Sequence, residues 1–420
     1  MAAVYCLSKS TIKKTDILFL LQFFYPEYIS SATLPFDTAS RLAEEGLSVD
    51  VLCGYPHEYV DEVDIPCRET VNNVNITRVR YLQLDRKKAI GRLVNYLSLT
   101  FVMLLRLFKM KDYKTVIVYS NPPILPWVAA LASKLFKCRL IFVAYDLYPE
   151  IALRTNTVSK DSMITKLMNH INGFVYRQAS AVVALSSEMK EFIVNNRNIS
   201  ADRVHVIPNW YKDEYRSDAN EDNSFESVTN DRFVVGYFGN MGIAQDMEPI
   251  KYAIRFYKND DKVCFLLSGH GSKHSEIKQL IEEEKIDNVY LYGFLKGRSY
   301  YDALHISDCA IVSLEKGLTG LCVPSKTYGY MMHGLPIVAI MEDSDIVTDV
   351  LNGAGYHVDG DRTEGLTEVI AEMKNNREEC AARGAVSRQL YLKSYTPEIC
   401  LKKYTELLNE ILKKQTDNKN

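Results

Sequence analysis

Short runs of consecutive apolar residues recur along the chain, and most are followed by a polar or glycine-containing loop and then by an amphipathic stretch. One such run is DILFLLQFF, from Asp16 to Phe24, and a similar series begins with FVVGYF, from Phe233 to Phe238. Apolar runs without alternation are typical of strands in a parallel sheet that is covered on both faces, and amphipathic stretches predict helices. The pattern therefore predicts an α/β fold with two doubly wound domains.

The pattern also locates the individual elements. Strands are predicted at Asp16–Phe24, Ser48–Cys53, Val74–Leu84, Thr115–Tyr119, Arg139–Ala144, Ala181–Leu185, Val204–Asn209, Phe233–Phe238, Val263–Leu267, Val289–Gly293, Asp308–Val312 and Pro336–Ile340. Helices are predicted at Thr33–Glu45, Leu125–Phe136, Met163–Ala179, Met247–Tyr257, Tyr300–Ile306, Lys326–Met332 and Ala385–Leu412, the last with a break at Thr396-Pro397 because the residue before a proline disfavours helix.

A polar, acidic stretch poor in large aliphatic residues, 213–231, separates the two series and predicts a linker. We therefore expect a first domain at 15–212, a second at 232–390 and a C-terminal helix at 391–415. A chain of 420 residues is long enough for two cores of this size.

Three segments of the second series combine glycine or lysine with the start of a helix. Free backbone N–H groups at a helix start attract anions, and glycines let a phosphate approach the backbone. In the last segment Ser325 is predicted as the N-cap and Gly334 as the stop of a short helix. Together the segments predict a site for a diphosphate-containing ligand at one sheet edge. Its residues are Gly239, Asn240, Gly242, Ser268, Gly269, Gly271, Pro324, Ser325 and Lys326.

The segment from Arg86 to Lys114 is apolar in its middle and basic at both ends. Such a helix can lie on an anionic membrane surface. It can equally pack against the sheet, and both hold if one face packs inward and the other meets lipid. No run of 18 apolar residues occurs, so we expect no spanning helix, and Met1 to Lys14 lacks the features of a signal peptide.

Composition narrows the function classes. The net charge of −3 gives no electrostatic case for nucleic acid, and 47% hydrophobic with 25% charged residues is typical of a globular protein. Nine dispersed cysteines without a CxxC pair indicate reduced thiols rather than a disulfide framework or a zinc site. The histidines are scattered and form no HExxH motif, so His270 and His333 are interpreted as structural.

Polar loops also follow strands of the first series, where α/β sheets bind ligands. The loop YDLYPE, Tyr145–Glu150, carries two carboxylates and two phenols, and Asp146 either serves a polar site or caps a turn.

The order of elements resembles the retaining glycosyltransferases of the GT-B fold, family 4, and within them the fucosaminyltransferase-like bacterial enzymes of capsule and O-antigen synthesis. The resemblance covers about Asp16 to Leu412. It rests on FYPE at Phe24–Glu27 with Ala39–Cys53, SNPP at Ser120–Pro123, YDLYPE at Tyr145–Glu150, YFGNMG at Tyr237–Gly242 and VPSKTY at Val323–Tyr328.

The resemblance implies two Rossmann-like domains facing a cleft, with the C-terminal helix returning toward the first. The first would bind the acceptor and the second a nucleoside diphosphate sugar, which is a substrate, so neither cofactor nor metal is expected. Asp146 and Lys326 would be catalytic, Lys326 by neutralising the leaving diphosphate. The acceptor-side residues would be Glu27, Ser30, Ser31, Asn121, Tyr145 and Glu150.

The chain also departs from the wider family. Two family glutamates that contact the donor sugar and the ribose fall on Leu321 and Gly329, and the usual arginine and lysine after the first donor-domain strand are replaced by Asn240 and glycines. A frequent histidine is Tyr145 here. Lys326 therefore becomes the main predicted cation for the diphosphate.

We therefore expect a glycosyltransferase at the cytoplasmic face of a membrane, using a UDP-linked sugar and a lipid-linked or oligosaccharide acceptor with retention. Two alternatives remain open. A UDP-sugar 2-epimerase has the same two-domain fold. It needs several acid–base carboxylates and histidines near the anomeric carbon, and this sequence offers few at the predicted site. The missing glutamates also fit a non-catalytic sugar-nucleotide-binding subunit.

Overall fold

A computed structural model describes residues 15–61, 64–85, 88–214, 223–225 and 231–417. Contacts divide the chain into two units. Unit 1 comprises the described residues of Met1–Ala144, His170–Val183 and Thr405–Asn420, and unit 2 those of Tyr145–Asn169 and Ala184–Tyr404. Most of the predicted linker, at 215–222 and 226–230, lies outside the described residues, as does Met1 to Lys14. The predicted domain boundaries stay a prediction.

The first series of apolar runs forms an eight-stranded sheet with the order β3-β4-β2-β1-β5-β6-β7-β8. Its strands are β1 (Thr15–Leu21), β2 (Val49–Gly54), β3 (Arg68–Val71), β4 (Val74–Val79), β5 (Tyr113–Tyr119), β6 (Arg139–Ala144), β7 (Ala181–Ala184) and β8 (Val204–Val206). β1 pairs in parallel with β2 and β5, whereas β3 is antiparallel to β4. The inner strands are buried along their length, as the unbroken apolar runs predicted.

Most helices of this series follow the predicted pattern, whereas the short helix at Glu150–Arg154 was not predicted. The helices are α1 (Ser30–Glu44), α2 (Ala89–Leu104), α3 (Pro126–Phe136), α4 (Glu150–Arg154), α5 (Met163–Gln178) and α6 (Ser187–Asn196), with 3₁₀ turns at Leu107–Asp112 and Ala201–Arg203. α6 begins as its sequence indicates, since the Ser186 hydroxyl accepts a hydrogen bond from the Met189 N–H at 3.3 Å.

The second series forms a six-stranded parallel sheet with the order β11-β10-β9-β12-β13-β14. Its strands are β9 (Phe233–Asn240), β10 (Val263–His270), β11 (Val289–Tyr292), β12 (Cys309–Ser313), β13 (Ile337–Ile340) and β14 (Gly355–Val358). The strand order reverses between β9 and β12, and such a switch point opens a crevice at the carboxyl ends of the strands. Both sheets are therefore of the predicted Rossmann-like type.

The second sheet carries α7 (Glu248–Tyr257), α8 (Ser272–Glu284), α9 (Arg298–His305), α10 (Lys326–His333), α11 (Asp345–Asp349) with a π-helical turn at Val350–Ala354, α12 (Gly365–Asn375) and α13 (Arg377–Ser394). α14 (Pro397–Asp417) follows, and its described residues from Thr405 onward belong to unit 1. The predicted break at Thr396-Pro397 is confirmed, because α13 ends before it and α14 begins at the proline. The core around the second sheet includes Tyr237, Phe265, Ile311 and Val338.

The start of α10 differs from the prediction. Ser325 stands at the N-cap position but has helical angles, φ −64° and ψ −20°, and its side chain makes no capping hydrogen bond. The Thr327 hydroxyl instead donates to the Pro324 carbonyl at 2.8 Å. Gly334 ends the helix in the left-handed region at φ 78°, as predicted.

β9 and β10 are longer than predicted and run through their glycines. Gly239 pairs with Gly269 and Asn240 with His270 in the parallel register. A Cβ on Gly269 would lie 1.8 Å from the Gly239 carbonyl oxygen, so the strands stay this close only without a side chain. The glycines that predicted a loop are thus the last pairs of the ladder.

We expect Gly269→Ala to lower the free energy of unfolding by about 2 kcal/mol or more, because the added Cβ meets backbone rather than a movable side chain and the residue has φ +157°. Chemical denaturation of the purified protein measures this. Gly360→Ala is the matched control, since a Cβ there has nothing within 4 Å, and equal stability of both variants would contradict the expectation.

Candidate functional site

Three segments of the second sheet meet at Asn240, the last residue of β9. The Lys326 ammonium, at the first residue of α10, donates to this oxygen at 3.3 Å. The Tyr237 hydroxyl donates to the same oxygen at 2.8 Å. His270, at the end of β10, is the strand partner of Asn240. The structure therefore brings together the three segments that the sequence predicted for an anion.

Lys326 stands over an aromatic ring at this point. Its Nζ lies 3.6 Å from the centroid of the Tyr237 ring, a cation–π distance. Burial lowers the pKa of the Lys326 ammonium well below its usual value. Among the described residues no carboxylate forms an ion pair with this ammonium, which contacts the ring and one carbonyl. An anion that binds beside this lysine would stabilise its charged form and raise its pKa.

The glycines at the strand ends let the loops approach one another. Gly271 has φ +127°, and a Cβ there would lie 2.4 Å from the Met241 carbonyl oxygen. The Met241 N–H donates to the His270 carbonyl at 2.7 Å, and its own carbonyl accepts from the Lys273 N–H at 2.9 Å. The two predicted loops are therefore joined backbone to backbone.

The Ser268 side chain is hydrogen-bonded to a neighbouring loop. The residue is buried, and its hydroxyl donates to the Gly293 carbonyl at 2.7 Å and accepts from the Leu295 N–H at 3.1 Å. These two bonds hold the loop after β11. The side chain predicted to contact a donor is thus occupied in ordering a neighbouring loop.

Lys273, in the first turn of α8, is a second cation at this edge that the sequence analysis missed. Its Nζ donates to the Gln245 carbonyl at 2.7 Å and pairs with the Glu315 carboxylate at 2.5 Å. No motif marks it, because its position depends on α8, which the pattern did not predict. An ion pair this close leaves Lys326 as the cation better placed for an outside anion.

Asp146 lies beside the segment that leads into α10. Asp146 and Cys322 form an antiparallel bridge, and the Leu147 N–H donates to the Leu321 carbonyl at 2.9 Å. Burial raises the pKa of the Asp146 carboxyl to about 6. The two predicted catalytic residues are thus linked within unit 2 through a stretch of a few residues, which no sequence motif revealed.

The two positions without the family glutamates are filled in different ways. Leu321 is 3% exposed, so an apolar side chain is buried there. At Gly329 a Cβ would lie 2.9 Å from the Tyr300 hydroxyl oxygen and 3.4 Å from the Tyr211 ring. The rings of Tyr211 and Tyr300 therefore take the space that a side chain at residue 329 would need.

The predicted acceptor-side residues are held by local structure. Glu27 is buried, and its carboxylate accepts from the Phe24 N–H at 3.1 Å within the loop after β1. Ser30 and Ser31 open α1, and Asn121 follows β5. Tyr145 follows β6 directly.

Glu150 begins α4, and its carboxylate forms an ion pair with the Arg197 guanidinium. The acceptor role of this and the other five residues stays a prediction. Within the part of the chain that the structure describes, no cluster of three or more His, Cys, Asp or Glu side chains is arranged to hold a metal ion.

α2 has a buried face and an exposed apolar face, so the packing alternative for Arg86–Lys114 holds for its inner side. Leu99 and Met103 are fully buried. The outward face carries, at helical spacing, Ile90, Leu93, Leu97 and Phe101, continued by Leu105 and Phe108, and we call these six residues the α2 stripe. Exposure reaches 76% at Ile90 and 73% at Phe108.

Basic side chains flank the stripe, and Asn95 anchors a loop beside it. Lys88 and Lys109 are exposed, whereas Arg86 and Lys87 lie outside the described residues and Lys114 pairs with Asp16. The Asn95 amide bonds both the N–H and the carbonyl of Leu84, at 2.7 and 2.8 Å. Among the described helices, none is both long and apolar enough to span a bilayer.

Comparisons with known proteins agree with this architecture. A family model described as Glycosyl transferase 4-like domain matches residues 36–210, and another described as Glycosyl transferases group 1 matches residues 232–376. The chain is 26% identical over 298 residues to "Probable glycosyltransferase WbjE" of Pseudomonas aeruginosa, covering 70% of this chain and 74% of that one.

A second relative and a solved structure extend this likeness. The chain is 22% identical over 329 residues to the chitobiosyldiphosphodolichol beta-mannosyltransferase of Candida glabrata, covering 72% and 71% of the two chains. The structure of HepE of Anabaena in complex with UDP-glucose superposes with a TM-score of 0.70 at 16% identity, covering 94% of this chain and 99% of that one. The likeness to HepE shows a shared fold.

The raised pKa of Asp146 predicts a pH-dependent stability. A carboxyl whose pKa is higher in the folded than in the unfolded protein stabilises the fold when protonated, and that contribution is lost as the pH rises through about 6. Between pH 7 and pH 5 the wild type should therefore gain stability relative to Asp146→Asn, which does not titrate. Urea unfolding at several pH values measures the difference. A difference that does not change with pH would contradict this placement of the carboxyl.

Proposed function

The chain belongs to the glycosyltransferases of the GT-B fold, and we propose that it transfers a sugar from a nucleoside diphosphate sugar to a lipid-linked or oligosaccharide acceptor. In this proposal the donor is UDP-linked, its sugar is an N-acetylated amino or deoxy sugar, and the anomeric configuration is retained. The product enters a surface polysaccharide such as a capsule or O-antigen. HepE in complex with UDP-glucose supports the choice of nucleotide.

One observation carries the proposal: the Lys326 ammonium stands at the convergence of three loops, 3.3 Å from the Asn240 carbonyl oxygen. Breaking the bond between the anomeric carbon and the diphosphate oxygen leaves negative charge on the diphosphate. A nearby ammonium stabilises that charge most when the environment is dry. Burial lowers the pKa of Lys326, and a bound diphosphate would favour its charged form.

The balance of the step needs little covalent chemistry from the protein. The acceptor hydroxyl oxygen bonds to the anomeric carbon, the bond to the diphosphate breaks, and the leaving phosphate takes the acceptor proton. Asp146 orients the acceptor or supports positive charge on the sugar ring, and it is not proposed as a nucleophile. Neither a metal ion nor a cofactor enters the step. The buried Leu321 and the tyrosines over Gly329 mean that contacts to the donor differ here from those of family members with paired glutamates.

The proposed setting is the cytoplasmic face of a membrane, which the protein meets through the outer face of Arg86–Lys114. The α2 stripe supports this, because a continuous apolar face with basic flanks suits an anionic lipid surface. Leu82 and Leu84, both exposed, extend the apolar surface beside α2. A membrane surface would also bring the protein to a lipid-linked acceptor.

Mass spectrometry of the purified protein with a panel of nucleoside diphosphate sugars and an extract of lipid diphosphates tests the proposal. We expect transfer from one UDP-sugar, and NMR of the product should show that its anomeric configuration is that of the donor. Conversion of a UDP-sugar without acceptor would favour the epimerase instead. Nucleotide binding with no product on any acceptor would favour a non-catalytic subunit.

Lys326→Ala should lower kcat about a hundredfold, because an oriented charge at the leaving group contributes about 3 kcal/mol to transition-state stabilisation. The fold should be unaffected, since the ammonium forms no ion pair among the described contacts. Lys278→Ala, an exposed lysine on α8, is the matched control. Wild-type activity in Lys326→Ala would refute the assigned role.

Replacing Leu97 and Phe101 by glutamate should weaken binding to anionic vesicles about tenfold or more, because two exposed apolar side chains of the stripe are lost and two negative charges are added. Vesicle sedimentation measures this. Phe256→Glu on α7, where the ring is 62% exposed, controls for a general loss of surface hydrophobicity. Equal sedimentation of all three proteins would rule out α2 as the membrane contact.

A further inference from the structure

The backbone N–H of Gly242, in the loop after β9, is occupied by a side chain of its own loop. This N–H donates to the Gln245 side-chain oxygen at 2.9 Å, and the Gln245 N–H donates back to the Gly242 carbonyl at 3.2 Å. Gly242 is one of the residues proposed to meet a donor phosphate. Its amide is therefore satisfied by the protein at the place where the proposed ligand would need it.

Gln245 is held in this position by groups outside its own turn. The Lys273 ammonium donates to the Gln245 carbonyl at 2.7 Å, and the Glu315 N–H donates to the Ala244 carbonyl at 2.9 Å. The backbone of residues 244 and 245 is thus fixed by Lys273, in α8 after β10, and by Glu315, which follows β12. The Gln245 side chain, in contrast, is hydrogen-bonded among the described residues to the Gly242 N–H alone.

Asn240 links the loop of Gly242 to the cationic group of the site. A Cβ on Gly242 would meet the Asn240 side-chain amide at 2.9 Å, and the Asn240 carbonyl accepts from Lys326. In the proposed function, one oxygen of the donor diphosphate accepts from the Gly242 N–H and the same diphosphate meets Lys326. A neutral carboxamide oxygen is the protein group most similar to such an acceptor without adding negative charge.

We infer that Gln245 is a placeholder for a donor phosphate oxygen: its side chain accepts from the Gly242 N–H and must leave this N–H when the diphosphate binds. The inference rests on the proposed function, because it assumes a diphosphate at this loop. Gln245 is then a positioning residue that opposes donor binding by one hydrogen bond. The fixed backbone at residues 244 and 245 keeps the loop in shape while the side chain turns away.

Two substitutions at this residue should change donor affinity in opposite directions. Gln245→Ala frees the Gly242 N–H, so UDP should bind about two- to tenfold more tightly, which corresponds to the net strength of one hydrogen bond. Gln245→Glu gives the N–H a charged partner and repels the diphosphate, so UDP should bind more weakly. The KM for the donor should follow, with kcat little changed.

Isothermal titration of the full chain with UDP measures these affinities. Gln245→Asn keeps the amide but is one methylene too short for the contact, so it should bind UDP like the alanine variant. Agreement between the two variants shows that the change in affinity does not come from misfolding of one of them. Gln279→Ala on α8 is the matched control and should leave UDP affinity unchanged, because the exposed Gln279 side chain donates to Glu283 on the same helix.

The outcomes separate this inference from the proposed function. If the wild type binds UDP and Gln245→Ala binds it equally or more weakly, the side chain supports the loop and the placeholder role is wrong. If the wild type binds no UDP, both the inference and the proposed UDP-linked donor fall. Tighter binding by Gln245→Ala and Gln245→Asn, together with weaker binding by Gln245→Glu, supports the placeholder.

Discussion

The candidate site on the second sheet depends on the close approach of β9 and β10 at their carboxyl ends. The Gly239 carbonyl lies where a side chain on Gly269 would be, and a Cβ on Gly239 would lie 3.3 Å from Cε of Lys326. This spacing permits the ladder to continue to Asn240 and His270, which presents the Asn240 carbonyl to Lys326 and Tyr237. A bulkier pair of residues would separate the strands and move the Asn240 carbonyl away from Lys326 and Tyr237.

The sheets could be predicted because the apolar runs of the inner strands are largely buried, so local pattern and tertiary environment agree. The ends of β9 and β10 could not, since glycine is as typical of a loop as of two strands in close contact. α8 was missed because its buried side chains are few, Ile277 and Leu280 among polar residues. The family resemblance identified the position of Lys326 and the residues absent around it.

What the sequence could not supply are contacts between segments far apart in the chain. The bridge between Asp146 and Cys322 and the bonds from Ser268 to the loop after β11 depend on tertiary folding, and no local motif encodes them. The same limit applies at Gly329. The missing glutamate was visible in the sequence, but the replacement of its volume by Tyr211 and Tyr300 was not.

The Asn95 amide on α2 has a consequence for molecular association. By bonding both backbone groups of Leu84 it holds the adjoining loop, with the exposed Leu82, in one conformation against the helix. A loop that is already ordered loses little conformational entropy when it meets another surface. The apolar side chains of this region are therefore presented as a rigid face, so the free energy of contact goes into desolvation rather than into ordering the chain.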